Sequence, residues 1–272
     1  MVIAGMVLDT PGSYLLMAAF IVVHVAALGD ESLVERWCLS TYSIKHQGQW
    51  YRMLSSGFVH SGWMHLALNC LGIWYFATMV ESLVGPWLMI LLFLLSVLGG
   101  SIYAMRLRRL DHDYLAVGAS GGVMGLMMMC VMWVPSIKLG LFILPIMLPG
   151  WLFALLINWG SMVFSLTDDR HRISHEGHLG GAFWGGMLGA IAMMVASYLF
   201  QQELELGSGF SVDSMEDLGT YKQMLFQWGS LLHSVDYTTS WVLLWAGILP
   251  VGLFWLLQEV QPSIFKRKWW KK

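Results

Sequence analysis

The stretch WLMILLFLLSVLGGSIYAM, residues 87–105, is almost wholly apolar and contains no charged side chain. A helix needs about 20 such residues to cross the roughly 30 Å hydrocarbon core of a bilayer. Polar backbone groups in lipid must bond within their own segment or within a closed barrel, and this run is too long and too uniform for a barrel strand. The stretch therefore predicts a transmembrane helix.

The rest of the chain follows the same pattern. Apolar side chains make up 57% of the 272 residues and charged ones 12%, far from the balance of a soluble domain. Residues 1–13 carry no Lys or Arg, whereas a signal peptide begins with a basic region, so the first apolar run is expected to remain as a span. The apolar runs lie near residues 14–29, 63–80, 87–105, 116–134, 139–158, 177–199 and 241–258. The sequence predicts an all-α fold, a polytopic membrane helix bundle.

Two polar segments separate these runs. Residues 30–62 are rich in Trp, Tyr, His and Gln and are expected to form a structured loop at the membrane interface. Residues 200–240 are acidic and are expected to form a solvated loop. We therefore divide the chain into a core over 1–199, the acidic loop, and a further span with a basic tail over 241–272. The tail is expected to lie at lipid headgroups, and no nucleic-acid partner is expected.

Ser120 lies in Gly118-Ala119-Ser120-Gly121, at the N-terminal end of the fourth run. The first N–H groups of a helix have no partner within it, and the helix dipole is positive there, so an oxyanion formed beside this serine would be stabilised. The alternative is that these small residues, with Gly125, only allow another helix to approach. The G-x-S-x-G elbow of soluble hydrolases does not apply, because no strand is predicted before it.

His178 opens a second glycine-rich run and shares one helical face with Gly181 and Gly185. Glycines on that face would let a neighbouring helix come close enough for a bond between a hydroxyl and an imidazole. Histidine, whose ordinary pKa is near neutral, is suited to act as the base. The alternative is a histidine that bonds a backbone carbonyl between helices.

His65 and Asn69 are four residues apart, and both can donate a hydrogen bond from a side-chain nitrogen. Two donors on one helical face can stabilise the charge of a tetrahedral intermediate, and removal of one such donor typically costs roughly 3–4 kcal/mol. The alternative is a polar contact between helices.

The segment His175-Glu176-Gly177-His178 superficially resembles a metal motif. The HExxH motif places its histidines four residues apart, whereas these are three apart, so neither zinc nor another cofactor is expected. Glu176 is instead expected to be solvated at the entrance of the helix.

The motifs resemble, in order and spacing, those of the rhomboid intramembrane serine proteases. The matching segments are Trp50-Tyr51-Arg52, the run from His60 to Asn69, Gly118 to Gly121, and His178 to Gly181. The resemblance covers about residues 14–199 and implies a six-helix core. The run at 241–258 would add a seventh span, as in the 6+1 arrangement of part of the family.

The resemblance implies a catalytic dyad of Ser120 and His178 without an acid. It implies an oxyanion site built by His65, Asn69 and the backbone at Ser120 and Gly121. Further positions would have structural roles in the family pattern, namely Arg52, Glu81, Gly181 and Gly185.

The resemblance also places a lateral gate for substrate in the fifth span, at Trp151 and Phe153, and a cap over the site at residues 159–174. Two positions depart from the family pattern. Tyr51 stands where Trp is usual, and Met124 stands where an aromatic residue commonly packs beneath the histidine.

The function implied is an intramembrane serine endopeptidase that cleaves transmembrane helices, with transmembrane proteins and the lipid bilayer as its partners. The alternative is a rhomboid-like scaffold or chaperone that binds such helices without cutting them, although these proteins lose the serine or the histidine, and this chain has both. A bacterial inner membrane is the expected location, with an organelle membrane as the alternative.

The distribution of basic residues leaves the orientation of the site open. Lys and Arg concentrate on the side of the active-site mouth if all seven runs span, which by the positive-inside rule makes that side cytoplasmic. Bacterial and secretory-pathway rhomboids usually open to the other side. If residues 241–258 do not span, the basic tail changes sides and the imbalance nearly disappears.

Overall fold

The computed structural model describes residues 10–134, 137–140, 146–167, 174–205 and 252, and this part of the chain is mainly helical. In chain order the elements are α1 (Pro11–Gly29), α2 (Glu31–Trp37), β1 (Leu39–Ser40), α3 (Thr41–Gln47), α4 (Arg52–Ser55), a 3₁₀ turn (Ser56–Phe58), α5 (Trp63–Val84), α6 (Pro86–Leu107), β2 (Leu115–Ala116), α7 (Ser120–Trp133), β3 (Lys138–Gly140), β4 (Met147–Pro149), α8 (Gly150–Thr167) and α9 (His175–Glu205). A π-helical turn (Ile73–Ala77) interrupts α5.

The prediction of an all-α membrane bundle is confirmed. Helices α1, α5, α6 and α9 are long and apolar enough to cross a bilayer, and α7 and α8 are shorter apolar helices. Their outer faces expose large apolar side chains, as lipid contact requires. The protein is thus an integral, multi-pass membrane protein. The predicted span at 241–258 lies outside the described residues except for Gly252, and the acidic loop does so from residue 206 onward.

The prediction of a fifth span at 139–158 is wrong in its position. Residues Lys138–Gly140 and Met147–Pro149 pair as antiparallel strands, and α8 begins only at Gly150. A proline lacks the N–H that a helix interior needs, so Pro149 favours a helix start just after it. Because α8 continues to Thr167, the first half of the predicted cap at 159–174 is helix, and residues 168–173 lie outside the described part.

Helix α7 is the centre of the bundle. It begins at Ser120, later than the run predicted from residue 116, because Gly118 adopts φ +118° and Leu115–Ala116 pairs with Leu39–Ser40. With 14 residues it is about 21 Å long. Most of its side chains are buried, and glycines line its contact with α9. Ser120 therefore lies at the N-terminal end of a short helix that packs among longer ones.

Two charged residues fix the segments around α1. The guanidinium of Arg52 donates from one terminal nitrogen to the carbonyl oxygens of Glu35 (2.6 Å) and Cys38 (2.9 Å), so it folds the interfacial loop upon itself. The carboxylate of Glu81 accepts hydrogen bonds at the first turn of α1, from the N–H groups of Gly12 and Ser13. Both side chains are buried, and these hydrogen bonds go to the interfacial loop and to α1.

Candidate active site

Ser120 and His178 are in direct contact. Ser120 is the first residue of α7, His178 lies in the first turn of α9, and the distance from Ser120 Oγ to His178 Nε2 is 2.7 Å. The turn before Ser120 depends on Gly118, whose positive φ favours glycine and whose N–H donates to the Ser56 carbonyl at 2.8 Å. The hydroxyl of Ser120 and the imidazole of His178 are thus within hydrogen-bond distance, although the two residues are 58 positions apart in the sequence.

The backbone around Ser120 offers unpaired donors. The first N–H groups of a helix, here those of Ser120 and Gly121, have no acceptor within α7. They lie at the positive end of the helix dipole. This is the chemistry that stabilises a developing negative charge on an oxygen beside the serine.

The imidazole of His65 lies against the turn that leads into Ser120. A Cβ on Gly118 would stand 2.6 Å from His65 Nε2, so only a glycine fits there. The other ring nitrogen, Nδ1, is 3.0 Å from Ser61 Oγ. Since that hydroxyl can accept a hydrogen bond from Nδ1 or donate one to it, the tautomer of His65 is free to place its proton on Nε2.

Asn69 is buried in α5, one turn after His65. Its Nδ2 donates to the His65 carbonyl oxygen at 2.9 Å, within the same helix. An amide carries two N–H groups, so the second one is not used by this bond. The structure thus brings His65 to the turn before Ser120, while the recorded bond of Asn69 stays within α5.

Trp151 and Phe153 lie in the first turn of α8, half-buried against the apolar core. Neither lines the cavity beside Ser120. That cavity is bordered by small residues of the interfacial loop, α6, the turn before α7 and the start of α9, among them Ser56, Gly100, Ser101, Gly118, Ser120 and Ser174.

Comparison with known proteins decides the family. The family model described as the Rhomboid domain matches residues 47–211 of the 272. The chain belongs to the rhomboid family. The family expectation drawn from the motifs is therefore confirmed.

The relatives of this rhomboid come from organelles and bacteria. The RHOMBOID-like protein 12, mitochondrial, of Arabidopsis thaliana is 24% identical over 201 residues, 66% of this chain and 55% of the relative. The Rhomboid protein 1, mitochondrial, of Saccharomyces cerevisiae is 26% identical over 182 residues, 64% of this chain and 52% of the relative. The Rhomboid protease GluP of Bacillus subtilis is 30% identical over 151 residues, 56% of this chain and 27% of the relative. The chain spans about half the length of the first two relatives.

A second imidazole in this rhomboid meets His178. The ring of His175 stands edge-on to that of His178, with 5.8 Å between centroids, and Phe164 of α8 stacks on His175 at 5.3 Å. Met124, at the position where the family commonly has an aromatic residue, is buried in α7. Sequence reasoning missed His175 as a neighbour, although histidines three residues apart share a helical face.

Glu176 is not solvated, and that expectation is wrong. The residue is 3% exposed, and its carboxylate binds the guanidinium of Arg108, which follows the last residue of α6. The burial has a physical reason, because a carboxylate leaves water only where a cation and hydrogen-bond donors replace it. No spacing rule in the sequence links residues 68 positions apart.

Within the part of the chain that the structure describes, no group of three or more His, Cys, Asp or Glu side chains could hold a metal ion.

Proposed function

We propose that this rhomboid is an intramembrane serine endopeptidase, with Ser120 as nucleophile and His178 as base. The observation that carries the proposal is the 2.7 Å contact between Ser120 Oγ and His178 Nε2 at the start of a buried helix. The family includes proteins named as proteases, among them GluP of Bacillus subtilis, which supports the same reading.

The reaction follows from the groups present. His178 accepts the proton of the Ser120 hydroxyl as Oγ attacks the peptide carbonyl, and it then passes that proton to the leaving amine. Water hydrolyses the acyl-enzyme, with His178 acting as base again. No acid orients the imidazole in this mechanism, so the surroundings of His178 must do so.

The negative charge of the tetrahedral intermediate falls beside the start of α7. The Nε2 of His65 lies against the turn at Gly118. We assign it to the oxyanion site together with the Gly121 N–H at the start of α7 and the second N–H of Asn69. Each donor is worth about 3 kcal/mol where the charge develops in a site that excludes water.

The substrates that we propose are transmembrane helices. A peptide carbonyl inside a helix is already bonded and shielded, so the segment to be cut must unwind before it reaches Ser120. Entry between α5 and α8, past Trp151 and Phe153, would bring such a segment from the lipid into the bundle. Roles for Arg52, Glu81, Gly181 and Gly185 in holding the fold are part of the same proposal.

A serine-reactive phosphonate tests the assignment without knowledge of the substrate. Mass spectrometry of the labelled protein in detergent is expected to find the adduct on Ser120. Labelling is expected to vanish in Ser120→Ala and to slow by about 100-fold or more in His178→Ala, since the base is lost. Ser82→Ala is the matched control, because Ser82 Oγ bonds the Met79 carbonyl of its own helix at 2.8 Å. An adduct on another serine, or equal labelling of His178→Ala, would refute the dyad.

A further inference from the structure

A buried carboxylate stands at the start of the helix that carries His178. Glu176 Oε1 accepts hydrogen bonds from Arg108 Nε at 2.8 Å, from a terminal nitrogen of the same guanidinium, and from Ser165 Oγ at 3.0 Å. Exposure of the two charged residues is 3% for Glu176 and 6% for Arg108. One carboxylate thus joins the end of α6, the last turn of α8 and the first turn of α9.

The guanidinium of Arg108 is also connected, through Tyr114, to Ser174, the residue that caps α9. Arg108 lies over the ring of Tyr114, 5.6 Å from its centroid, and the Tyr114 hydroxyl bonds Ser174 Oγ at 2.6 Å. Burial and the nearby Glu176 carboxylate raise the pKa of Tyr114, so its hydroxyl remains protonated.

Ser174 holds the first turn of α9 by two bonds. Its Oγ accepts from the Gly177 N–H at 3.1 Å, and its carbonyl accepts from the His178 N–H at 3.1 Å. Arg108 is therefore connected to the first turn of α9 in two ways. One runs through Tyr114 and Ser174 to the His178 N–H, and the other is the direct bond to Glu176.

Stability alone gives a weak reason for this arrangement. Burying two charges costs free energy of desolvation, and replacing a buried ion pair by apolar residues of similar volume is often neutral or stabilising. A buried ion pair does add geometric specificity, because several hydrogen bonds to one carboxylate fix the rotation and position of the helix that carries it.

Position matters greatly for His178. Helix ends fray, and His178 lies in the first turn of α9. A displacement of about 1 Å between reacting groups can reduce a rate by about 100-fold. The dyad that we propose, Ser120 and His178, includes no acid, so the imidazole depends for its orientation on the turn that carries it and on its neighbours.

We propose that Glu176 and Arg108 are positioning residues that hold the first turn of α9 so that His178 Nε2 stays bonded to Ser120 Oγ. The expected effect on rate rests on the proposed proteolysis. The positioning of His178 can be measured whether or not the protein cleaves a substrate.

The decisive variant removes both charges, Arg108→Met with Glu176→Leu. Removing one charge alone would leave the other buried and unpaired, which can unfold the protein. The double variant is expected to keep a thermal midpoint near that of the wild type, while kcat for a single-span reporter falls by at least about tenfold and KM changes little. The matched control is Asp30→Asn with Arg36→Met, which removes an exposed ion pair of 2.7 Å and is expected to leave kcat unchanged.

A second readout separates this inference from the proposed function. The ¹⁵N resonance of His178 Nε2, in protein labelled at histidine, reports the bond to Ser120 and is assigned with His178→Ala and Ser120→Ala. In the double variant it is expected to move to the value seen in Ser120→Ala. An unchanged resonance with wild-type kcat would overturn the positioning role alone. A wild type that cuts no reporter would overturn the protease, and the resonance would still decide whether the pair positions His178.

Discussion

The backbone of Gly181 in α9 lies so close to that of Gly121 in α7 that a methyl group on Gly181 would stand 2.0 Å from the Gly121 carbonyl oxygen. One turn further on, a methyl group on Gly185 would stand 2.2 Å from the Cα of Gly125. Backbone atoms cannot move aside as the end of a flexible side chain can. This contact between two helices sets the distance at which Ser120 and His178 face each other.

We predict that Gly185→Ala separates the two helices and lowers both stability and activity. Overpacking of this kind typically costs about 1–3 kcal/mol, and here no side chain can yield. Thermal unfolding in detergent and cleavage of a single-span reporter measure the two effects.

The control for that variant is Gly160→Ala in α8, where an added methyl group meets no atom of the described residues within 4 Å. This substitution is expected to be neutral or to stabilise by up to about 1 kcal/mol, because alanine favours helix. Equal effects of the two substitutions would show that close packing at Gly185 is not what matters.

Glu81→Gln is predicted to destabilise the first helix. The two oxygens of Glu81 accept from the N–H of Gly12 at 2.7 Å, and from the N–H and hydroxyl of Ser13 at 2.7 and 2.6 Å. A glutamine has one oxygen and presents an NH₂ group to one of these donors, so a loss on the order of 1–3 kcal/mol is expected. The unfolding midpoint measures it, with Glu35→Gln on the exposed face of α2 as control. A wild-type midpoint for Glu81→Gln would contradict the capping role.

Stability is predicted to fall in mild acid through His60, which is buried in the loop before α5. Burial, followed by the neighbouring His65 and His24, lowers the pKa of His60 to about 4. The unfolded chain takes up a proton near pH 6.5, and the folded protein resists it until about pH 4. The contribution is therefore fully present above pH 6.5 and is lost as the pH falls towards 4, by an amount on the order of 3 kcal/mol.

The measurement is the unfolding midpoint between pH 7 and pH 4 for the wild type and for His60→Leu. Other groups titrate in both proteins, so the difference between the two curves reports His60. The variant is expected to show the flatter curve. Parallel curves would mean that His60 does not titrate with this shift.

The pairing of Ser120 and His178 could be predicted from the sequence, whereas the structure around them could be predicted only in part. Helical spacing put Gly181 and Gly185 on the face of His178, and the structure packs that face against α7. The strands Lys138–Gly140 and Met147–Pro149 were missed because a continuous apolar run does not distinguish a strand from a buried helix. The burial of Glu176 was missed because its partner Arg108 is set by tertiary packing.

Proteolysis by this chain requires Ser120 and His178 to act together, and reporter cleavage tests this requirement most directly. The purified full chain in liposomes would be offered a panel of single-span reporters, beside Ser120→Ala and His178→Ala. We predict that the wild type cuts at least one reporter within or next to its transmembrane helix and that both variants leave every reporter whole. Binding of reporters without cleavage by any of the three proteins, or cleavage by Ser120→Ala at the wild-type rate, would contradict the account.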